Sequence, residues 1–354
     1  VQSEIAYAVA ERLSAFVDGD RGDRDRLAAV GGTNDATALD AYLRGRALYD
    51  LSVDEATDRA ALELLDRAID ADPAFAAAHA ARARSLTAIA NEYGKVEALA
   101  PMYAEAVAAA ERAIALAPML AEAHSTLGFT LFQGRLDARA ARAPFDRSIA
   151  LGAGEATVLA RFAQYAARCG RHREAATTLA QALLRDPLNP LIHRAAGSIA
   201  YAARRFEASL APLQKALALN PQLSRAHAVV GDARLNLGDV DGALSAYAKE
   251  PNADMRRTGE AIAFHRAGRS AEADAARDAL QTTGDRVLYQ QAQVAAQGAR
   301  DGEALDALER ARALGDSGLI YARNDPFLDP LRREPRFLTL LDGLGFDAGT
   351  ENPG

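Results

Sequence analysis

The sequence holds a single cysteine, Cys169, so no internal disulfide can form and the redox compartment stays open. Lysine is nearly as scarce: Lys95, Lys215 and Lys249 are the full set, and almost all positive charge is arginine. The net charge of −7 argues against direct nucleic-acid binding, because neutralising phosphates needs a basic face. No run of eighteen apolar residues exists, so no membrane segment is expected. β-Branched clusters at a period of two are missing, which removes the usual mark of strands. The chain also lacks GxGxxG, GxxxxGK[ST], GxSxG and HExxH. Its Asp and Glu residues spread over helix faces with no acid–base pair among them. The reading is a non-enzyme with no catalytic residue, no metal ligands and no cofactor. GGTNDA at 31–36 reads as a linker before a helix, and Cys169 as a small packing residue.

What is present is alanine-rich helical periodicity and an apolar fraction of 49%, ample for a core. Blocks ending at Pro73, Pro118, Pro187 and Pro221 look alike, and the last two are 34 residues apart. The clearest unit runs over 156–187. Leu159, Phe162, Ala163 and Ala166 form the inner face of a helix A, Gly170 makes the turn, and Ala175, Leu179 and Ala182 face inward from a helix B. This period and these offsets resemble the tetratricopeptide repeat (TPR), a helix–turn–helix unit. Units centred on Gly45, Ala83, Gly128, Ala163, Gly197, Gly231, Ala261 and Ala292 give about eight, one carrying an eleven-residue insertion near 91–101. The expected fold is all-α, a right-handed superhelical TPR solenoid. Small residues at each crossing let two helices approach, and large ones fill the space beside them. Pro144 and Pro212 fall mid-way in their expected B helices and are expected to bend them.

Four of the six histidines, His79, His124, His193 and His227, each stand four residues before a repeat Gly or Ala. Equivalent helices of neighbouring units lie roughly 8–10 Å apart or more, and no Cys or carboxylate pair joins these rings. They therefore read as register marks packed between helices, not as ligands.

Residues 1–17 read as an amphipathic helix and 18–26 as a charged loop, so the domain division is 1–35, a solenoid at 36–316, and capping helices with a flexible tail at 317–354. In 325–335, three acid–Pro steps are expected to open short helices. The stretches VQSEIAYAVAERL (1–13), ALDAYLRGRAL (38–48), AIDADPAFAAAHAARA (68–83), LAEAHSTLGF (120–129), AKEPN (248–252) and DPFLDPLRREPRFLTLLDGLGF (325–346) resemble the C-terminal TPR regions of bacterial regulators. Those proteins also carry an adenylate/guanylate-cyclase or winged-helix domain. The resemblance implies a piece of a longer signalling or transcription-regulating protein, in the cytoplasm, or in the periplasm if a membrane span precedes it. Counting along each helix A gives the residues expected to face the concave groove of such a superhelix, where a protein or peptide partner is expected: Arg84, Phe129, Phe132, Gln133, Gln164, Arg168, Arg194, Tyr201, Asp232 and Asn236. Two other readings are a solenoid that senses a small molecule and the accessory region of a nucleotide cyclase. A homodimer through the helix at 1–17 is a further expectation.

Overall fold

Residues 31–346, apart from 52, 53 and 95, are described by the structure, a computed structural model. The expected helix at 1–17, the dimer assigned to it and the tail at 347–354 lie outside these residues. Among the described residues there is no strand, and helices follow one another in eight A/B pairs. The pairs are α1 (Ala36–Leu51) with α2 (Glu55–Ala71), α3 (Ala76–Tyr93) with α4 (Val96–Leu116), α5 (Ala121–Gly134) with α6 (Arg142–Gly152), and α7 (Ala156–Arg168) with α8 (His172–Arg185). Next come α9 (Pro190–Ala202) with α10 (Phe206–Leu219), α11 (Ala226–Asn236) with α12 (Val240–Tyr247), α13 (Ala253–Arg266) with α14 (Ser270–Gln281), and α15 (Leu288–Gln297) with α16 (Asp301–Leu314). A last helix, α17, spans Pro335–Gly343. The fold is all-α and of the helical-repeat type.

The small residue of each helix A exists because a large residue of a helix B nests against it. A Cβ added at Gly128 would lie 2.8 Å from the Phe145 ring, and one at Gly197 would lie 2.4 Å from Leu213. Tyr247 is held twice over: a Cβ at Gly231 would come within 2.4 Å of its ring, and one at Gly259 within 2.2 Å. That ring is fully buried between α11 and α13. In five of the pairs the A-to-B turn holds a left-handed residue seven places after this crossing point. Gly170, Gly238 and Gly268 supply it at φ 80°, 85° and 71°, whereas Arg204 and Ala299 adopt it at 59° and 54° against their own steric preference.

The insertion lengthens both helices of its pair, so that α3 has 18 residues and α4 has 21, against 13 and 14 for α7 and α8. Pro144 does not bend a helix. Residues 138–141 form a turn, α6 begins at Arg142, and Pro144 falls in its first turn, where the missing N–H has no intrahelical partner to lose. Pro212 does lie inside α10.

The repeat histidines act on the loops. The Nε2 of His79, His124 and His193 donates to the carbonyl oxygens of Pro73, Pro118 and Pro187 at 3.0, 2.9 and 2.8 Å, in each case six residues back. Each ring thus ties the start of a helix A to the proline that ended the previous helix B. The loop before His227 closes differently. Arg225 takes φ 67°, and the buried Glu250 carboxylate accepts from Arg225 N and Ala228 N, both at 2.9 Å.

The chain divides into two compact units. The first contains residues up to Gly94, Ala98–Thr130 and Ala143–Gly152. Its core sets Tyr42 against Phe75, ring centroids 4.8 Å apart, beside Leu65 and Ala68. The second contains Leu131–Arg142 and everything from Ala153 onward. There Phe132 meets Tyr165 edge-on at 5.2 Å, and the Tyr165 hydroxyl donates to Ala138 O at 2.7 Å.

Gly231→Ala and Gly259→Ala should each destabilise the protein by about 1–3 kcal/mol, since the Tyr247 ring has nowhere to move. The exposed Gly302→Ala, whose Cβ meets nothing within 4 Å, should be neutral or stabilising. Urea midpoints compare the three, and equal midpoints would show that the crossing tolerates a methyl group.

Candidate functional site

The A-helix face of the second unit is already occupied by polypeptide. After α16 the chain reverses at Gly315, in the left-handed region at φ 77°. Residues 317–331 then run as two short 3-10 turns, Ser317–Tyr321 and Pro326–Leu331, against the A helices of the same unit. We call this segment the strap. Its apolar side chains Leu319, Ile320, Phe327, Leu328 and Leu331 are buried.

The strap is read along its length by side chains from five A helices or their ends. Arg168 of α7 stacks on the Tyr321 ring at 4.3 Å, and its Nη2 donates to the Tyr321 hydroxyl at 3.0 Å. Arg225 donates to the same hydroxyl at 3.3 Å. Asn324 Nδ2 donates to the carbonyls of Ala167 and Arg168, both at 2.9 Å, and so satisfies the C-terminal end of α7. Tyr289 Oη and Gln293 Nε2 of α15 both donate to the Asp325 carboxylate at 2.6 Å. Gln297 Nε2 donates to Phe327 O at 2.9 Å, and the Arg266 guanidinium of α13 covers the Phe327 ring at 5.6 Å. Arg204, in the turn after α9, grips Asp329 with both Nη atoms at 2.5 Å. Beyond the strap, α17 docks on α16 through Arg336 with Asp306 and Glu309, and Phe346 reaches Phe132 at 6.3 Å.

The electrostatics follow from burial and neighbours. Burial, with the nearby Asp325 and Glu250 charges, pushes the Asp232 carboxyl up to about 8, although it accepts from Tyr247 Oη at 2.8 Å. Burial also raises Asp325, opposed by its donors Tyr289, Phe327 N and Gln293. Tyr321 moves the other way: Arg168, Arg225 and Arg194 outweigh its burial and lower it to about 8. Burial raises the Cys169 thiol, in keeping with a packing residue.

The ten residues expected to line a groove are placed as follows. Arg84 is buried, paired to Glu122 at 2.8 Å and stacked on Tyr49 at 4.2 Å. Phe132 is buried among Tyr165 and Phe346. Phe129 and Gln133 are half-buried. Gln164 is half-buried, with Nε2 3.5 Å from Ala160 O of its own helix. Arg168 holds the strap directly, and Arg194 donates to Ser224 O at 2.7 Å beside it. Tyr201 packs on Phe206 and takes a 3.4 Å contact from Asn236, next to Asp232 on the same face. Of the ten, Arg168 is the one whose bond to the strap is given above. The missed residues are Arg204, Arg225, Tyr321, Asn324, Asp325, Phe327 and Asp329. The one available signal was the four-residue spacing of Tyr321, Asp325 and Asp329 in a segment without helical amphipathicity.

Among the described residues no group of three or more His, Cys, Asp or Glu could hold a metal ion, and no helix is long and apolar enough to cross a membrane. No family model and no curated protein matches the sequence. Solved structures share the fold. The human IFIT1 dimer with PPP-AAAA gives a TM-score of 0.57 at 15% identity, covering 83% of this chain and 78% of that one. The APC/C hetero-tetramer Cut9–Hcn1 gives 0.56 at 16% identity, covering 88% and 58%. At these identities the likeness is one of fold, and that fold is the TPR-type helical repeat.

Two groups set opposite pH slopes. Asp232 sits above the ordinary aspartate value of 3.8, so its contribution to stability is full below about 4 and is lost as pH rises through about 8. Tyr321 sits below the ordinary tyrosine value of 10, so its contribution is full above 10 and is lost as pH falls through about 8. Each slope is at most about 1.4 kcal/mol per pH unit. Asp232→Asn should flatten the decline between pH 5 and 8, and Tyr321→Phe should remove the rise between 8 and 10. Urea midpoints across that range, compared with the parent, test both; parallel curves would show that neither group titrates where its surroundings place it.

Proposed function

We propose that the chain is a non-catalytic protein- or peptide-binding scaffold, the regulatory or sensory part of a bacterial signalling or transcription-regulating protein. One observation carries this reading: the A-helix face of the second unit holds a segment of two short 3-10 turns through side-chain donors and stacked arginines. A face that binds a backbone carbonyl, an aryl hydroxyl and two carboxylates within its own chain has the chemistry to bind a similar segment of another. Its arginines Arg168, Arg204, Arg225 and Arg266 favour an acidic, aromatic-containing ligand. The titratable groups with displaced values, Asp232, Asp325 and Tyr321, are engaged by structural partners, which supports binding over catalysis. Gln133 and Gln164, half-buried on A helices of this unit, are the candidate contacts outside the strap.

The test is positional. Photo-crosslinkers placed in turn at Gln133, Gln164 and the outer-face position Arg310 should capture a partner from the first two positions only. Against that partner, Gln164→Ala should weaken binding tenfold or more, about 1.4 kcal/mol, while Arg310→Ala should leave it unchanged. Capture from Arg310 alone would place the partner on the outer surface and end the proposal.

A further inference from the structure

We infer that the A-helix face of the first unit carries a binding subsite for a small oxyanion, a carboxylate or phosphate group, centred on the Nε/Nη2 edge of Arg84. The subsite lies in the other unit from the strap, and it stands whether or not the strap face takes a partner.

Three successive A helices meet at this side chain. From α1, the Tyr49 ring covers one face of the Arg84 guanidinium, with its centroid 4.2 Å from Cζ. From α5, the Glu122 carboxylate accepts from Arg84 Nη1 at 2.8 Å. The Arg84 side chain is only 5% exposed. Its Nε and Nη2 have no hydrogen-bond partner among the described residues. Those two nitrogens share one edge of the planar group and point N–H bonds the same way, at the spacing of two oxygens in one carboxylate or phosphate. The ring and the Glu122 bond hold the plane, so the edge is aimed before a ligand arrives.

Hydroxyl groups stand beside it. One turn along from Arg84, Thr87 Oγ1 meets Thr130 Oγ1 at 2.8 Å, a second contact between α3 and α5. Thr126 comes four residues after Glu122 and four before Thr130, so the two contacts bracket it on the side of α5 that faces α3. Thr126 is buried, and its hydroxyl has no partner among the described residues. The same holds for its neighbour Ser125, and for Ser85 next to Arg84. A helical hydroxyl can satisfy itself on the carbonyl four residues back, as Thr87 does on Ala83 O at 2.9 Å. The Arg84 edge has no such recourse, because a guanidinium carries donors alone and keeps its charge. An oxyanion meets each need together. Two of its oxygens accept from Nε and Nη2, its charge offsets the guanidinium, and its remaining lone pairs take the Thr126 hydroxyl.

NMR of the arginine side chains in the full chain reads the edge directly. The Arg84 Nε–H signal is the one lost in Arg84→Lys. Should that variant fail to fold, Tyr49→Leu assigns the signal by removing the ring beside it. Sodium acetate and sodium phosphate are titrated separately, against sodium chloride at matched ionic strength. The Arg84 signal should shift and saturate with acetate, with phosphate or with both, and should not saturate with chloride. Acetate alone makes the subsite one for carboxylates, phosphate alone one for phosphate groups, and either result upholds it. Thr126→Val should raise the half-saturating concentration by about three- to tenfold, the worth of one hydrogen bond. An Arg84 signal that drifts alike in all three salts overturns the inference, as does a half-saturating concentration that Thr126→Val leaves in place. Neither result bears on the strap face, whose partner is tested by cross-linking.

Discussion

Everything in this chain depends on how closely a helix A can approach a helix B. The approach is set by one small residue per helix A and one large residue beside it, as with Gly128 and Phe145, Gly197 and Leu213, and Gly231 and Tyr247. Tyr247 shows the constraint at its tightest, since glycines of two successive A helices bracket one ring. Fix this spacing and the rest follows. The B helices take their places, five of the turns are left-handed seven residues on, and the A helices of the second unit turn one face toward the strap. Arg204 shows how firmly the spacing rules: it adopts φ 59° in a place where three other pairs use glycine.

That common face explains the polar character of the second unit. Side chains from A helices converge there in a row, and the strap lies along the row with its Tyr, Asn and Asp residues in step with them. Burial of Phe327 and Leu328 stabilises the seated strap, and the conformational entropy of fixing the segment opposes it. With those two terms opposed, the polar contacts gain the deciding weight.

The helical repeat was legible in the sequence because its signals are local: a proline after helix B, a Gly or Ala at the crossing, a fixed period. The positions of all eight crossings could be read in this way. One local reading erred for a local reason: Pro144 reads as mid-helix because the turn at 138–141 has alanines in place of glycine or proline. The histidines were legible as register marks, but their bonds to Pro73, Pro118 and Pro187 depend on the loop backbone and were not. The strap could not be read, because its partners lie far away in sequence. Nothing near Tyr321 points to Arg168, and nothing near Asp329 points to Arg204.

Those separations alter how the second unit must come together. A plain repeat array is held by nearest neighbours, so each pair can settle as soon as the next emerges from the ribosome. Here Arg168 waits for Tyr321, 153 residues later, and Asn324 closes the end of α7 across 157. The early pairs of the unit stay unfinished during synthesis, their polar face bare, until nearly the last residue of the strap is made. A shortened product that ends before residue 317 therefore presents Arg168, Arg204, Arg225 and Arg266 without the segment they hold. The strap turns a stack that could stop at any repeat into one whose polar contacts close only once residue 331 has been made.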